Sequence, residues 1–282
     1  MTLRTVWRKS LNIVMLSLTG VCALITVSAL IVILGYLARN GATALHWSFF
    51  TNLPAPVGET GGGIANAITG SAKLLLLATL VGVPIGLLGA IYVAEYASPV
   101  PAFVVRYATD LLNGVPSIVM GIFAWTIVVV PMHSFSAYAG GFALGVMMVP
   151  IILRSSEEFL RTVPRSLREG AMALGTSKWR TIATVVVPAA AGGIVTAILL
   201  SLSRVAGETA PLLFTAFGNR FWSHGWNEPV ASLPVVIYTY AVSPYDDWHR
   251  QAWAAGLVLL GLVLVTNLVC RALLARRATQ RR

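Results

Sequence analysis

The feature that most limits the possible folds is a series of six apolar runs separated by polar segments. A transmembrane α-helix needs about 20 mostly apolar residues to cross roughly 30 Å of hydrocarbon. The third and fourth runs are shorter than this, so they must extend into their polar flanks to cross. We therefore predict an all-α polytopic membrane protein with six transmembrane helices. The runs cover residues 11–37, 74–94, 115–130, 138–153, 182–205 and 253–270.

The composition agrees with a bilayer as the solvent. Hydrophobic residues make up 57% of the chain and charged residues only 11%, whereas about a quarter of an ordinary soluble sequence is charged. The formal net charge of +10 would suggest a nucleic-acid partner if the basic residues formed one patch. They flank the apolar runs instead, so we predict the lipid bilayer, and no nucleic acid, as a partner.

The distribution of Lys and Arg predicts the orientation. With the N-terminus placed in the cytoplasm, most of the 20 Lys and Arg residues fall on the cytoplasmic side, and the outer side holds only Arg39, Arg220 and Arg250. Cytoplasmic loops carry such an excess of basic residues, so both termini are predicted to be cytoplasmic. The expected organisation is a cytoplasmic N-terminus at 1–10, a transmembrane domain at 11–270 with a cytoplasmic loop at 157–181, and a basic cytoplasmic tail at 271–282.

The cytoplasmic loop carries the local signals of a short helix over residues 166–174. Pro164 suits the start of a helix and Gly175 suits its C-terminal end. A helix of this length is marginal by itself in water, so it needs a partner to dock on. Three apolar residues at helical spacing could pack into that partner: Leu167, Ala171 and Leu174.

The same loop resembles the EAA loop of bacterial ABC-importer permeases, whose pattern is E-A-A-x3-G-x9-I-x-L-P. Gly170 replaces the second residue of the pattern, and Val185 and Val187 replace its Ile and Leu. The resemblance implies that the short helix docks on a separate ATPase subunit and couples ATP hydrolysis to transport. The alternative is a basic cytoplasmic loop that is helical without a coupling role. The remaining residues that carry the pattern are Glu169, Ala171, Gly175 and Pro188.

Charged residues near the ends of two apolar runs are candidates for a substrate path. Arg204 should lie within the bilayer, where a charge costs at least roughly 2.5–3.5 kcal/mol and is usually paired and functional. Glu208, four residues on, could neutralise it. Arg154 and Glu157 form a second pair, drawn to membrane depth if the fourth run extends inward. A guanidinium fork matches a tetrahedral oxyanion, so the two arginines could form two levels of one anion path.

Simpler interpretations of these charged residues stay open. Arg204 and Glu208 could be a structural ion pair that orients their helix, and Arg154 could anchor the inner boundary of its span. No Ser/His/Asp set, metal-ligand spacing or G-x4-G-K-[ST] nucleotide motif occurs in the sequence. We therefore expect a transport subunit and not an enzyme, with no catalytic residues, metal or cofactor of its own. ATP and Mg would be used by the partner ATPase.

Three blocks of the sequence resemble one permease family. They are N-G-V-P-S-I-V-M-G at 113–121, V-P-x-S-L-R-E-G-A-x2-L-G at 163–175, and R-x2-G-E-T-A-P-L-L at 204–213. Together they resemble the PstA family, permease subunits of the bacterial phosphate ABC importer with the type I importer fold. The resemblance implies that the chain translocates phosphate through the bacterial inner membrane. It also implies that Arg154, Glu157 and Arg204 occupy positions associated with phosphate passage.

The resemblance further implies a set of partners. They are a second, homologous permease of the PstC type, an ATPase dimer of the PstB type and an extracytoplasmic phosphate-binding protein of the PstS type. Two alternatives for function remain at this point. One is a permease for another oxyanion such as sulfate or molybdate, and the other is a regulatory or scaffold subunit of phosphate sensing.

Overall fold

The computed structural model describes residues 3–56, 59 and 61–279. Within this part of the chain the secondary structure is helical, and the only β-type pairing is an isolated bridge between Pro54 and Gly62. The predicted all-α class is therefore confirmed. Residues 280–282 of the predicted basic tail lie outside the described residues, and so do residues 1 and 2 of the predicted N-terminal segment.

The described helices follow one another with short connections over most of the chain. We label them α1 (Leu3–Gly41), α2 (Trp47–Thr51), α3 (Ala65–Tyr96), α4 (Pro99–Gly114), α5 (Ser117–Met132), α6 (Ala137–Thr162), α7 (Arg165–Ala173), α8 (Lys178–Ala206), α9 (Ala210–Thr215), α10 (Leu233–Ala241) and α11 (Asp246–Thr279). Three of them contain a π-helical turn: α3 at Tyr92–Tyr96, α5 at Trp125–Val129 and α8 at Ile182–Val186.

Five of these helices are long and apolar enough to cross a membrane, namely α1, α3, α6, α8 and α11. The pair α4 and α5 passes the same criteria together but is bent by 102°. The predicted total of six spans therefore holds when the bent pair counts as one. The predicted span at 115–130 corresponds to only the second arm of that pair, and the extension into its flank is a separate, bent helix. Pro116 has no backbone N–H and disfavours a helical conformation at Val115.

The fourth span extends inward, as its short apolar run requires. α6 has 26 residues, which corresponds to about 39 Å at 1.5 Å per residue. Arg154 and Glu157 therefore belong to the helix and not to the loop that follows it. One side of the helix bundle carries α7, and we call it the α7 side.

Glycines let α3 and α6 pack at very short distance. A Cβ atom built on Gly82 would lie 2.7 Å from Met148 Cβ, and one built on Gly86 would lie 2.8 Å from Ile152 Cβ. From the other helix, a Cβ on Gly145 would lie 2.9 Å from Val81 Cβ. Small residues allow this close approach of helices in a membrane. The two helices therefore form a tightly packed pair at the centre of the fold.

α1 stands apart from this core. Its side chains from residue 7 to residue 36 are exposed. It meets α11 near its C-terminal end, where the Tyr36 and Trp253 rings pack edge to face at 5.2 Å and Gly41 lies against the Trp253 backbone.

The segment between α9 and α11 covers the end of the bundle opposite α7. Lys73 of α3 donates hydrogen bonds to the carbonyl oxygens of Ser223, at 2.7 Å, and Gly225, at 3.3 Å. α10 is too short to span a membrane, and its first residue, Leu233, is fully buried. Leu233 belongs to a cluster with Ala254 and Ala255 of α11. This segment is thus a packed part of the fold.

Candidate functional site

An unusual charge cluster lies near the α7 end of α6. The Glu157 side chain is only 1% exposed and lies against three guanidinium groups. Its Oε1 accepts a hydrogen bond from Arg106 Nε at 2.7 Å and lies 3.0 Å from Arg161 Nε. Its Oε2 accepts a hydrogen bond from Arg154 Nη1 at 3.3 Å. A buried carboxylate needs such partners, because an unpaired buried charge is costly. Of the predicted path residues, Arg154 and Glu157 are therefore in direct contact.

Arg106 was missed as a candidate site residue. It lies on α4, and its predicted position in a cytoplasmic loop concealed its contact with α6. Asp110, one turn later on α4, is 3.7 Å from Arg154 Nε. The spacing of Arg106 and Asp110 at i and i+4 was the available signal, since it puts both charges on the same helix face.

Arg204 and Glu208 do not form the expected pair. α8 ends at Ala206, and Glu208 lies beyond the end of the helix. An i,i+4 contact requires the helix to continue through both residues. Within the described chain, no ion pair or hydrogen bond joins the two side chains. The expectation that Glu208 neutralises Arg204 is therefore wrong for this conformation, and Arg204 is exposed.

The two candidate arginines lie at different levels along the bundle. Gly193 of α8 lies directly against Phe159 of α6. From that level Arg204 is about 16 Å farther from the α7 side along α8, at 1.5 Å per residue. Arg154 is about 8 Å farther from the α7 side along α6 on the same basis. The difference of six residues places Arg204 about 9 Å farther from the α7 side than Arg154, more than one salt bridge can span.

The short helix of the loop is present as α7, Arg165–Ala173, within one residue of the predicted 166–174. Pro164 precedes it with extended backbone, and Gly175 follows it with a φ of +83°. That φ value favours glycine, which ends helices in this way. Leu167 and Leu174 are exposed. Glu169 and Gly170 are exposed too, and Ala171 is half-buried.

Arg168 attaches α7 to two other helices. Its Nη2 donates one hydrogen bond to Glu95 Oε1 at 2.8 Å and another to the Leu160 carbonyl at 2.8 Å. Glu95 lies at the π-helical end of α3. Its NH1 donates to the Val163 carbonyl at 2.6 Å. The last carbonyls of a helix lack partners within the helix, so Arg168 caps α6 as well. The Glu95 and Arg168 side chains are 8% and 18% exposed. We call these contacts the Arg168 clamp.

A second connection leads from α7 to α8. The Thr176 and Thr181 hydroxyls are 2.8 Å apart, and Thr176 Oγ1 donates to the Ala171 carbonyl at 2.7 Å. The predicted coupling residue Pro188 lies in α8 just after its π-helical turn at Ile182–Val186. Proline removes one helical hydrogen bond, and π-helical turns are rare features that often occur at functional sites. The start of α8 is therefore an irregular segment beside α7.

An open cleft of about 700 Å³ lies between α7 and the ends of α3 and α6. Its lining includes Glu95, Arg161, Arg165, Arg168, Glu169 and Met172. Its charges are mixed and its walls come from three helices. Over the described residues, no group of three or more His, Cys, Asp and Glu side chains could hold a metal ion.

Comparisons with known proteins give one consistent result. The family model described as "Binding-protein-dependent transport system inner membrane component" matches residues 82–279. The phosphate transport system permease protein PstA of Yersinia pestis is 44% identical over 96% of this chain and 92% of its own length. The protein of the same name from Haemophilus influenzae is 43% identical over 95% of each chain.

A solved structure shows the same fold. It is an inward-facing conformation of the MetNI methionine ABC transporter, with a TM-score of 0.57 and 19% identity. The alignment covers 74% of this chain and 94% of that one. The predicted type I importer fold is thus confirmed.

Proposed function

The chain belongs to the family of binding-protein-dependent transport system inner membrane components, and on that premise we propose that it is the permease subunit of an ABC importer for inorganic phosphate. The observation that carries the proposal is the 44% identity over 96% of the chain to a phosphate transport permease. The geometry supports it, because basic side chains lie at two levels of a multi-pass helix bundle that also presents a coupling helix.

Phosphate would meet the two levels in turn. Arg204 is exposed at the level farther from α7, and Arg154 stands beside Glu157 at the nearer one. A guanidinium pairs with oxyanion oxygens through parallel N–H groups. Two separated levels should bind phosphate more weakly than one site that contains both arginines. Weaker binding favours release of the phosphate. The excess of Lys and Arg supports an orientation with α7 and both termini in the cytoplasm.

As a member of this family the chain works with other components of an ABC system. We propose that these are a PstC-like permease, a PstB-like ATPase dimer that uses ATP and Mg, and a PstS-like phosphate-binding protein. The exposed face of α7, with Leu167, Glu169 and Leu174, would dock on the ATPase. The Arg168 clamp would carry movement of α7 to α3 and α6, and the Thr176–Thr181 contact would carry it to α8.

The proposal is tested by phosphate uptake in cells whose own copy of this permease gene is deleted. The wild-type chain should restore uptake of radiolabelled phosphate, and Arg204→Ala should remove most of it without loss of the protein from the membrane. Arg39→Ala, an exposed arginine on α1, is the matched control and should retain uptake. Wild-type uptake by Arg204→Ala, with assembly unchanged, would refute the path role.

Two further readouts separate the alternatives. Excess sulfate or molybdate should leave phosphate uptake unchanged, whereas strong competition by either would favour a permease for that anion. A variant without uptake that still reports phosphate status would indicate an additional regulatory role.

A further inference from the structure

The charge cluster around Glu157 has more positive charge than its own carboxylates balance. Three guanidinium groups, from Arg106, Arg154 and Arg161, face the two carboxylates of Glu157 and Asp110. Each guanidinium carries five N–H donors, so most donors of the cluster are not used by these contacts. The cluster therefore has both charge and donors left for an anion.

Arg106 holds a donor that lacks an acceptor. Its NH2 atom lies 2.7 Å from Glu157 Oε1, but it is not aligned for a hydrogen bond. Within the described chain this buried atom has no hydrogen-bond partner. Buried polar groups in native proteins nearly always have a partner, and an unmet donor on a charged group is especially costly. The terminal NH2 group of Arg106 therefore keeps N–H bonds that the Glu157 carboxylate does not take up.

The cluster is also accessible. The Arg154 and Arg161 side chains are 37% and 54% exposed, whereas Glu157 is 1% exposed. Glu157 is therefore buried behind Arg154 and Arg161, whose side chains are partly exposed, while the Arg106 side chain is 24% exposed. Three guanidinium groups around one point match the oxygens of a tetrahedral oxyanion better than they match a single planar carboxylate.

We propose that Arg106, Arg154 and Arg161 form one oxyanion-binding station on the α7 side, in which Arg106 is a direct ligand of phosphate. Glu157 holds the three guanidiniums together when no anion is bound. The inference rests on the proposed transport of phosphate and adds two ligands, Arg106 and Arg161, to that path. Because Arg106 lies on α4, anion binding there also links the bent pair α4–α5 to α6.

The test is equilibrium binding of radiolabelled phosphate to the purified membrane complex of permeases and ATPase, without the external binding protein. Losing a charge-assisted hydrogen-bonded ligand should weaken binding by about 10-fold to 100-fold in Arg106→Gln. Arg106→Lys keeps the charge without the fork and should be weakened by about threefold to tenfold. Arg165→Gln is the matched control, since Arg165 is exposed and makes no ion pair within the described residues.

A merely structural Arg106 would give a different pattern. It would lower the yield of assembled complex, but the complex that forms would bind phosphate with wild-type affinity. The double variant Arg106→Gln with Glu157→Gln removes both charges, so no buried carboxylate is left unpaired if the single variant fails to assemble. Its binding should remain at least about 10-fold weaker than that of Glu157→Gln alone, which shares the change at position 157.

Three results would overturn the station: wild-type affinity in assembled Arg106→Gln, equal affinities of the double variant and Glu157→Gln, or no phosphate binding by the wild-type complex. Uptake by wild-type cells tests the proposed function separately. A wild-type complex that transports phosphate but whose Arg106 variants bind it normally would refute the station alone. A wild-type complex that transports no phosphate would refute the function on which it rests.

Discussion

The Arg168 clamp leads to a specific prediction about coupling. Arg168→Ala removes hydrogen bonds to the Leu160 and Val163 carbonyls and the ion pair with Glu95. It leaves the Glu95 carboxylate, only 8% exposed, without this partner. Removing one member of a buried ion pair costs about 3–5 kcal/mol. Because tenfold corresponds to about 1.4 kcal/mol, the attachment of α7 should weaken by about 10²-fold to 4 × 10³-fold.

The expected result is an uncoupled transporter. The ATPase should still dock, because the residues proposed to bind it are unchanged, and ATP hydrolysis should continue in the assembled complex. Phosphate uptake per ATP hydrolysed should fall by at least about tenfold, a modest part of that attachment energy. The assay is parallel measurement of phosphate uptake and ATP hydrolysis in proteoliposomes that contain the purified complex and its binding protein.

Two further variants show whether the clamp is responsible. Arg165→Ala changes an exposed arginine on the same helix and should leave uptake per ATP unchanged. Adding Glu95→Ala to Arg168→Ala removes the stranded carboxylate, so the double variant should assemble better than Arg168→Ala alone. A wild-type ratio of uptake to ATP hydrolysis in Arg168→Ala, or an equal loss in Arg165→Ala, would show that the clamp does not transmit movement.

Three other substitutions have direct expected outcomes. Gly170→Ala should stabilise α7 by about 0.5–1 kcal/mol, because a Cβ there meets nothing within 4 Å. Phosphate uptake should be retained, and loss of the assembled complex would contradict this prediction. Gly145→Val should destabilise the protein by about 1–3 kcal/mol through overpacking against Val81, seen as a lower thermal midpoint in detergent. An unchanged midpoint would show that the helices can separate there. Lys73→Met keeps a long side chain but loses the hydrogen bonds to the Ser223 and Gly225 carbonyls, between α9 and α10. Limited proteolysis should then cleave between α9 and α10 faster, and an unchanged rate would show that other contacts hold this segment.

The elements predicted well are those with local signals. α7 was predicted within one residue because Pro164 and Gly175 determine its ends through backbone conformation. The long spans follow from hydrophobicity, which acts within each run. The bend before α5 was missed, although Val115-Pro116 marks it, because Arg106 and Asp110 made α4 look like a polar loop.

The features that could not be predicted join residues far apart in the sequence. Glu95 of α3 meets Arg168 of α7 because α3 packs closely on α6, which directly precedes α7. In a similar way, the packing of α4 on α6 brings Arg106 to Glu157. The Arg204–Glu208 pairing failed for a local reason. Its spacing was right for a helix, but the helix ends between the two residues.

The exposure of α1 affects which substitutions the subunit can accept. Since its middle faces away from the rest of the chain, substitutions there need to preserve only length and hydrophobicity. Where Gly41 lies against Trp253, shape is restricted as well. The first helix is therefore the part of the chain in which sequence drift, or exchange for another apolar helix, can alter the subunit's neighbours while its interior stays intact.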